Sequence, residues 1–259
     1  MKIASIQMQI YDDMKKEDTI SRAEKLINGV GQTDLILLPE IWNVGYFSFD
    51  RYIPESESYN GETISHMREK ASEKGVYILA GSIIEKENDR FYNTTFLIGP
   101  SGEILGKYRK IHLFSYGSKE SQLLTRGEEV SVIQTKIGTF GLTTCYDLRF
   151  PELFRKMIDS GANIFLIVSA WPYPRLEHWL IFNRARAIEN QAYLISSNCV
   201  GTNRAIQFCG HSMIVDPWGT ILASGGDEEC IVKAEISLKK VEDIRKKFPA
   251  LKDRVLNEN

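Results

Sequence analysis

Phe140-Gly141-Leu142-Thr143-Thr144-Cys145-Tyr146-Asp147-Leu148-Arg149-Phe150-Pro151-Glu152 decides the reading of this chain. An apolar run, 140–144, leads straight into a cysteine, a dense turn follows, and a helical pattern starts after Pro151. A residue between a strand and a helix projects from the sheet edge into a cleft. Its thiol can also feel helix-terminal N–H groups, which favour thiolate over thiol. A nucleophile belongs at such a place.

Working outward, the same alternation recurs. Lys2 to Gln9 reads as a strand, with Ile3, Ser5 and Gln7 on one face and Ala4, Ile6 and Met8 on the other. Ile20, Ala23, Leu26, Ile27 and Val30 recur at helical spacing, with Gly31 as a stop. Asp34 to Leu38 suits a strand buried on both faces, and it ends at Pro39-Glu40. An aromatic-rich loop covers 41–61. A helix through Ile64, Met67 and Ala71 stops at Gly75, and strands follow at 76–85, 91–98 and 103–110.

The second half predicts a helix over 151–160, a buried strand over 164–170, a helix near 176–190 and a strand over 192–200. A hairpin turns at Asp216-Pro217-Trp218-Gly219, and a last strand (231–236) and helix (238–248) close the pattern. The alternation argues for α/β, with helices covering sheets. No linker-like stretch divides residues 1–259, which read as a single domain.

Hydrophobic content of 43% and charged content of 25% are ordinary for a soluble globular chain. A net charge of −2 argues against a nucleic-acid partner. No apolar run reaches the roughly 18 residues needed to span a bilayer, and the N-terminus alternates like a strand rather than a secretion signal. The four cysteines, at 145, 199, 209 and 230, have no C-x-x-C spacing, which disfavours zinc and dithiol chemistry. Cys199 and Cys230 read as core, Cys209 is open, and the scatter points to a reduced, cytoplasmic setting.

Cleaving an amide with a cysteine needs a base, an oxyanion pocket and an acid for the departing ammonia. None of His66, His112, His178 and His211 is marked out by its neighbours. Glu40 and Lys110, however, both end strand-like runs, as Cys145 does. A carboxylate there is partly desolvated, which raises its pKa and suits a base. Arg149 and Glu152 are expected to hold the cysteine turn together by charge pairing.

Leu37-Leu38-Pro39-Glu40, Tyr108-Arg109-Lys110-Ile111-His112-Leu113-Phe114 and Cys145 to Glu152 resemble the three signature segments of the nitrilase (carbon–nitrogen hydrolase) superfamily, in its order and at similar spacing. The resemblance runs on through Gly210 to Gly219. Ala170-Trp171-Pro172, His178-Trp179 and Arg184 to Gln191 are most similar to the omega-amidase branch, which acts on amides such as 2-oxoglutaramate. It implies a four-layer αββα sandwich, a homodimer, no metal or organic cofactor, and a small-molecule amide substrate cleaved through a thioester.

It further implies that Cys145 is the nucleophile and Glu40 the base, and that Lys110 and the Tyr146 N–H stabilise the oxyanion. Lys119-Glu120-Ser121 matches a second family glutamate, which would orient Lys110. Tyr46, Phe47 and Trp171 are candidates to wall the pocket, and Arg175 to meet a substrate carboxylate. The rival readings are another activity of the superfamily (nitrilase, carbamoylase or short-chain amidase), a catalytically silent binding or scaffold protein, and a Cys-His enzyme.

Overall fold

The computed structural model describes residues 1–255. In chain order its elements are β1 (Lys2–Ile10), α1 (Lys16–Asn28), β2 (Leu35–Leu37), α2 (Glu62–Lys74), β3 (Tyr77–Glu87), β4 (Arg90–Ile98) and β5 (Ile104–Arg109). They continue with α3 (Glu120–Leu123), β6 (Ser131–Thr135), β7 (Gly138–Thr144), α4 (Pro151–Asp159), β8 (Ile164–Ser169) and α5 (Leu176–Asn190). The chain closes with β9 (Tyr193–Asn203), β10 (Ile206–Gln207), β11 (Met213–Val215), β12 (Ile221–Ser224), β13 (Cys230–Glu235) and α6 (Leu238–Lys247).

The strands run β5-β4-β3-β2-β1 and then, across β1, β9-β8-β7-β6. β1 is the seam. Its residues Lys2 to Gln7 pair with β13, and from Met8 onward β9 takes over. Side chains on both faces of β1 are buried, and its polar ones are satisfied inside. Ser5 Oγ donates to Ser196 O, and Gln7 Nε2 donates to Gly226 O and Glu228 O.

Side-chain alternation sorts the layers. Ala4, Ile6, Ile36, Ile78 and Phe96 share a core with Ile20, Ala23 and Ile27 of α1 and Ile64, Met67 and Ala71 of α2. The opposite neighbours Ile3, Leu35, Leu37, Leu79 and Tyr108 join the second sheet's core, against which α4 and α5 pack through Leu153, Phe154, Met157, Trp179 and Ala187. The result is the four-layer αββα sandwich that the resemblance implied. β5 and β6, at the two ends of the strand path, approach each other, so the sheet nearly closes.

α5 spans the residues its pattern predicts, and α2 stops at left-handed Gly75. α1 ends at Asn28, ahead of the expected Gly31 stop. β6 was not expected. Among the described residues no helix is long and apolar enough to cross a membrane.

Strand direction explains where the site lies. β1, β2 and β3 are parallel, and β5 runs with β3 because both are antiparallel to β4. β7, β8 and β9 are parallel to one another and, through β9, to β1. The C-terminal ends of β2, β5, β7 and β8 therefore share one edge, where α/β sheets open their clefts.

Candidate active site

Glu40 follows β2, Lys110 follows β5, and Cys145 follows β7. Two strands of one sheet and one of the other thus deliver three residues far apart in sequence to one point. Lys110 Nζ lies 2.8 Å from Glu40 Oε1 and 2.9 Å from both Glu120 oxygens. All three side chains are fully buried. Asn93 Nδ2 donates to Glu40 Oε1 and Glu120 Oε1, at 2.8 Å each. The remaining Glu40 oxygen, Oε2, accepts the Ala170 N–H at 2.9 Å. Glu120 Oε2 also accepts the Phe114 N–H at 2.7 Å and the Tyr46 hydroxyl at 3.1 Å.

The electrostatics follow. Burial raises the Glu40 carboxyl above its usual range; Lys110 opposes this, and the negative Glu120 adds to it. Burial would lower the Lys110 pKa, but Glu120 and Glu40 outweigh it and hold the ammonium charged. Lys110 is a fixed cation between two carboxylates.

Backbone strain marks two of these positions. Cys145 and Ile41, the residue after Glu40, both have left-handed backbone, at φ +48° and +43°. A β-branched residue there is a genuine outlier, and strain of this kind collects at functional sites. Gly81 of β3 lies against the same turn. A Cβ there would meet Pro39 O at 2.2 Å, so only glycine fits.

The Cys145 thiol faces the Glu40 carboxylate, whose charge it feels. Burial pushes its pKa well above the ordinary thiol value, and the Glu40 charge pushes the same way; Lys110, Ser169 and the Ala170 N–H pull weakly against them. This corrects the expectation of a helix-favoured thiolate. The short 3₁₀ turn Cys145–Arg149 does not outweigh desolvation and a facing carboxylate, so the resting sulfur keeps its proton.

Cys145 opens onto a cleft lined by Tyr46, Phe114, Tyr146, Arg149, Ala170, Trp171, Pro172 and Arg175. The cleft encloses about 300 Å³ of empty space, part of it open to solvent. The Arg149 guanidinium lies 4.8 Å over the Trp171 ring and contacts His178 Nδ1 at 3.2 Å. Arg175 lies over the rings of Phe114 and Tyr116, at 5.4 and 5.8 Å. Among the described residues no carboxylate is in ion-pair range of either arginine. The expected Arg149–Glu152 pair is absent, because Glu152 points to solvent from the first turn of α4 while Arg149 turns into the cleft.

Of the other expected residues, Tyr46, Tyr146 and Trp171 line the cleft, and Trp171 Nε1 donates to Arg175 O. Phe47 does not; its ring stacks on Phe208 and its N–H donates to Asn203 Oδ1. Cys199 and Cys209 are buried, Cys230 is partly so, and none is disulfide-bonded. Among the described residues, no group of three His, Cys, Asp or Glu side chains is arranged to hold a metal ion. Asn93 was missed. Its one signal was an asparagine inside the apolar strand pattern of β4, where asparagine is depleted.

Chemically, a neutral thiol facing a basic carboxylate is a proton-transfer pair. Lys110 Nζ has three protons; Glu40 and the two oxygens of Glu120 can be served by two of them, which leaves one for a developing oxyanion.

Residues 2–246 match the carbon-nitrogen hydrolase family. The chain is 37% identical to a 2-oxoglutaramate amidase of Paenarthrobacter nicotinovorans, over 98% of this chain and 89% of that protein. It is 39% identical to a 2-oxoglutaramate amidase of Bacillus subtilis, over 92% of each. Its fold is similar to that of Saccharomyces cerevisiae Nit3, a member of branch 10 of the nitrilase superfamily, with a TM-score of 0.90, 30% identity, and 99% and 97% of the two chains covered.

Proposed function

Since this chain belongs to the carbon–nitrogen hydrolase family and is an amidase of the nitrilase superfamily, we propose that it hydrolyses the terminal amide of a small carboxylated amide of the 2-oxoglutaramate kind. The observation that carries the substrate class is the pair of carboxylate-free arginines, Arg149 and Arg175, in the cleft that also exposes Cys145. Guanidinium groups bind a carboxylate in a planar, two-bonded geometry, and a neutral substrate would leave two half-buried cations without a carboxylate.

In this reading Glu40 takes the thiol proton as the Cys145 sulfur attacks the amide carbon. The carbonyl oxygen becomes an oxyanion, held by Lys110 and the Tyr146 N–H. The C–N bond breaks as Glu40 returns the proton to nitrogen, and ammonia leaves a thioester on Cys145. Water enters, Glu40 takes one of its protons, and the oxygen attacks the thioester carbon. Collapse breaks the C–S bond, the acid departs, and Cys145 regains its proton. Glu120 holds Lys110 in place, and Tyr46 holds Glu120. Trp171 and Tyr146 wall the acyl chain.

We place this activity in one domain spanning 1–259, in the cytoplasm, where unpaired cysteines persist. A homodimer is proposed through the exposed apolar face at Ile188, Trp218 and Phe248. There the Trp218 and Phe248 rings lie 5.8 Å apart and Ile188 borders the 216–219 turn.

The deciding measurement is kcat/KM for 2-oxoglutaramate against a neutral amide of equal length. A preference of a hundredfold or more is expected. Equal or reversed preference removes the carboxylated-substrate reading and leaves the amidase.

A further inference from the structure

Asp147 is fully buried, two residues past Cys145, and its carboxylate does not reach the cleft. Its Oδ2 accepts the Tyr108 hydroxyl at 2.7 Å and the Thr144 N–H at 3.0 Å. Its Oδ1 accepts the His112 N–H at 3.1 Å and faces His112 Nδ1 at 2.7 Å. Tyr108 Oη in turn accepts the Ile111 N–H at 3.2 Å. The His112 ring stacks on Phe150, 3.7 Å between centroids and 8° from parallel.

The sources of these donors matter. Tyr108, Ile111 and His112 bracket Lys110 on the segment leaving β5 in one sheet. Thr144 ends β7 in the other sheet, next to left-handed Cys145. Among the described residues, apart from its own turn, this carboxylate bonds only to the Lys110 segment. It is the polar tie between the strand end that delivers the cation and the strained turn that delivers the thiol.

We propose that Asp147, with His112 locking its orientation, is a positioning residue that sets the register of Lys110 against Cys145. The inference rests on the amidase mechanism above. His112 contributes a donor and a stacking face, not a proton in the reaction.

The test uses the full chain with Asp147→Asn, Tyr108→Phe, His112→Leu and His112→Asn, the last keeping a side-chain N–H for Asp147. Three quantities are read: kcat and KM for ammonia release, the rate of Cys145 alkylation by iodoacetamide, and the melting temperature. For Asp147→Asn, kcat falls about tenfold to a hundredfold with KM within about threefold, because misplacing reacting groups by fractions of an ångström acts on the transition state. Alkylation slows by a similar factor. Tyr108→Phe falls less, His112→Leu falls about tenfold, and His112→Asn stays within about threefold of wild type.

A folded Asp147→Asn protein with wild-type kcat and alkylation rate overturns the proposal, as does a His112→Asn loss equal to that of His112→Leu. If Asp147→Asn does not fold, the two His112 variants decide. If the wild-type protein releases no ammonia from any amide, the amidase mechanism has failed. The alkylation series then still reports on Asp147, and an unchanged or faster rate refutes its role.

Discussion

Replacing Glu120 by glutamine keeps the shape of the site and removes one charge. Glu40 Oε1 and Glu120 Oε1 lie 2.8 and 2.9 Å from the same Lys110 nitrogen. At the tetrahedral opening of an ammonium they sit roughly 4.5 Å apart, and two unit charges at that distance interact by about 4 kcal/mol at an effective dielectric of about 20. The sign is set by the site: Glu120 raises the Glu40 pKa, so its neutralisation lowers it and leaves Lys110 paired to Glu40 alone.

A weaker base transfers the thiol proton less readily. With part of this effect felt at the transition state, kcat/KM falls about tenfold to a hundredfold. The acid limb of the pH profile, where Glu40 protonates, moves to lower pH. Ammonia release by Glu120→Gln and wild type across the acid range measures both, with the melting temperature as a control for the altered hydrogen bonds. An acid limb that stays in place or moves upward would mean that the Glu120 charge does not set the basicity of Glu40.

Cys145→Ala abolishes ammonia release, whereas Cys199→Ala keeps activity within about threefold, since its sulfur only faces Glu40 O at 3.7 Å; purified variants compared side by side check this. Lys110→Met leaves two buried carboxylates without their cation, so stability drops by about 3–5 kcal/mol and turnover by more than a hundredfold; a folded variant with a tenth of wild-type activity denies Lys110 its role. Arg175→Ala raises KM for 2-oxoglutaramate at least tenfold and leaves a neutral amide nearly unaffected, so equal losses on both substrates point to a structural part instead. Light scattering at micromolar concentration returns a dimer mass, and charging the face with Ile188→Asp returns a monomer.

Much of this was legible in sequence, for reasons that differ by residue. The helix at Leu176–Asn190 and the strand at Leu35–Leu37 carry their pattern locally, and the chain ends of β2, β5 and β7 could be read from apolar runs that stop at Glu40, Lys110 and Cys145. Asn93 could not be, because its role comes from cross-sheet neighbours 53 and 27 residues away. Opposite charges at Arg149 and Glu152 suggest a pair across the cysteine turn, but the fold turns Arg149 into the cleft and leaves Glu152 in solvent. The thiolate expectation failed for a related reason: helix-end N–H groups are a local feature, whereas the desolvation and the Glu40 charge that oppose them exist only once the sheets have packed.

The proton resting on the Cys145 sulfur has a consequence outside catalysis. Thiolates attack peroxides at oxygen and break the O–O bond, so the first step to sulfenic acid needs a nucleophilic, accessible sulfur. Here the sulfur is held toward its protonated form and faces a carboxylate that repels anionic oxidants. In the proposed mechanism the sulfur gives up its proton to Glu40 as it attacks the carbonyl carbon. An arrangement that keeps the proton on sulfur until substrate arrives would also slow oxidation of the empty enzyme.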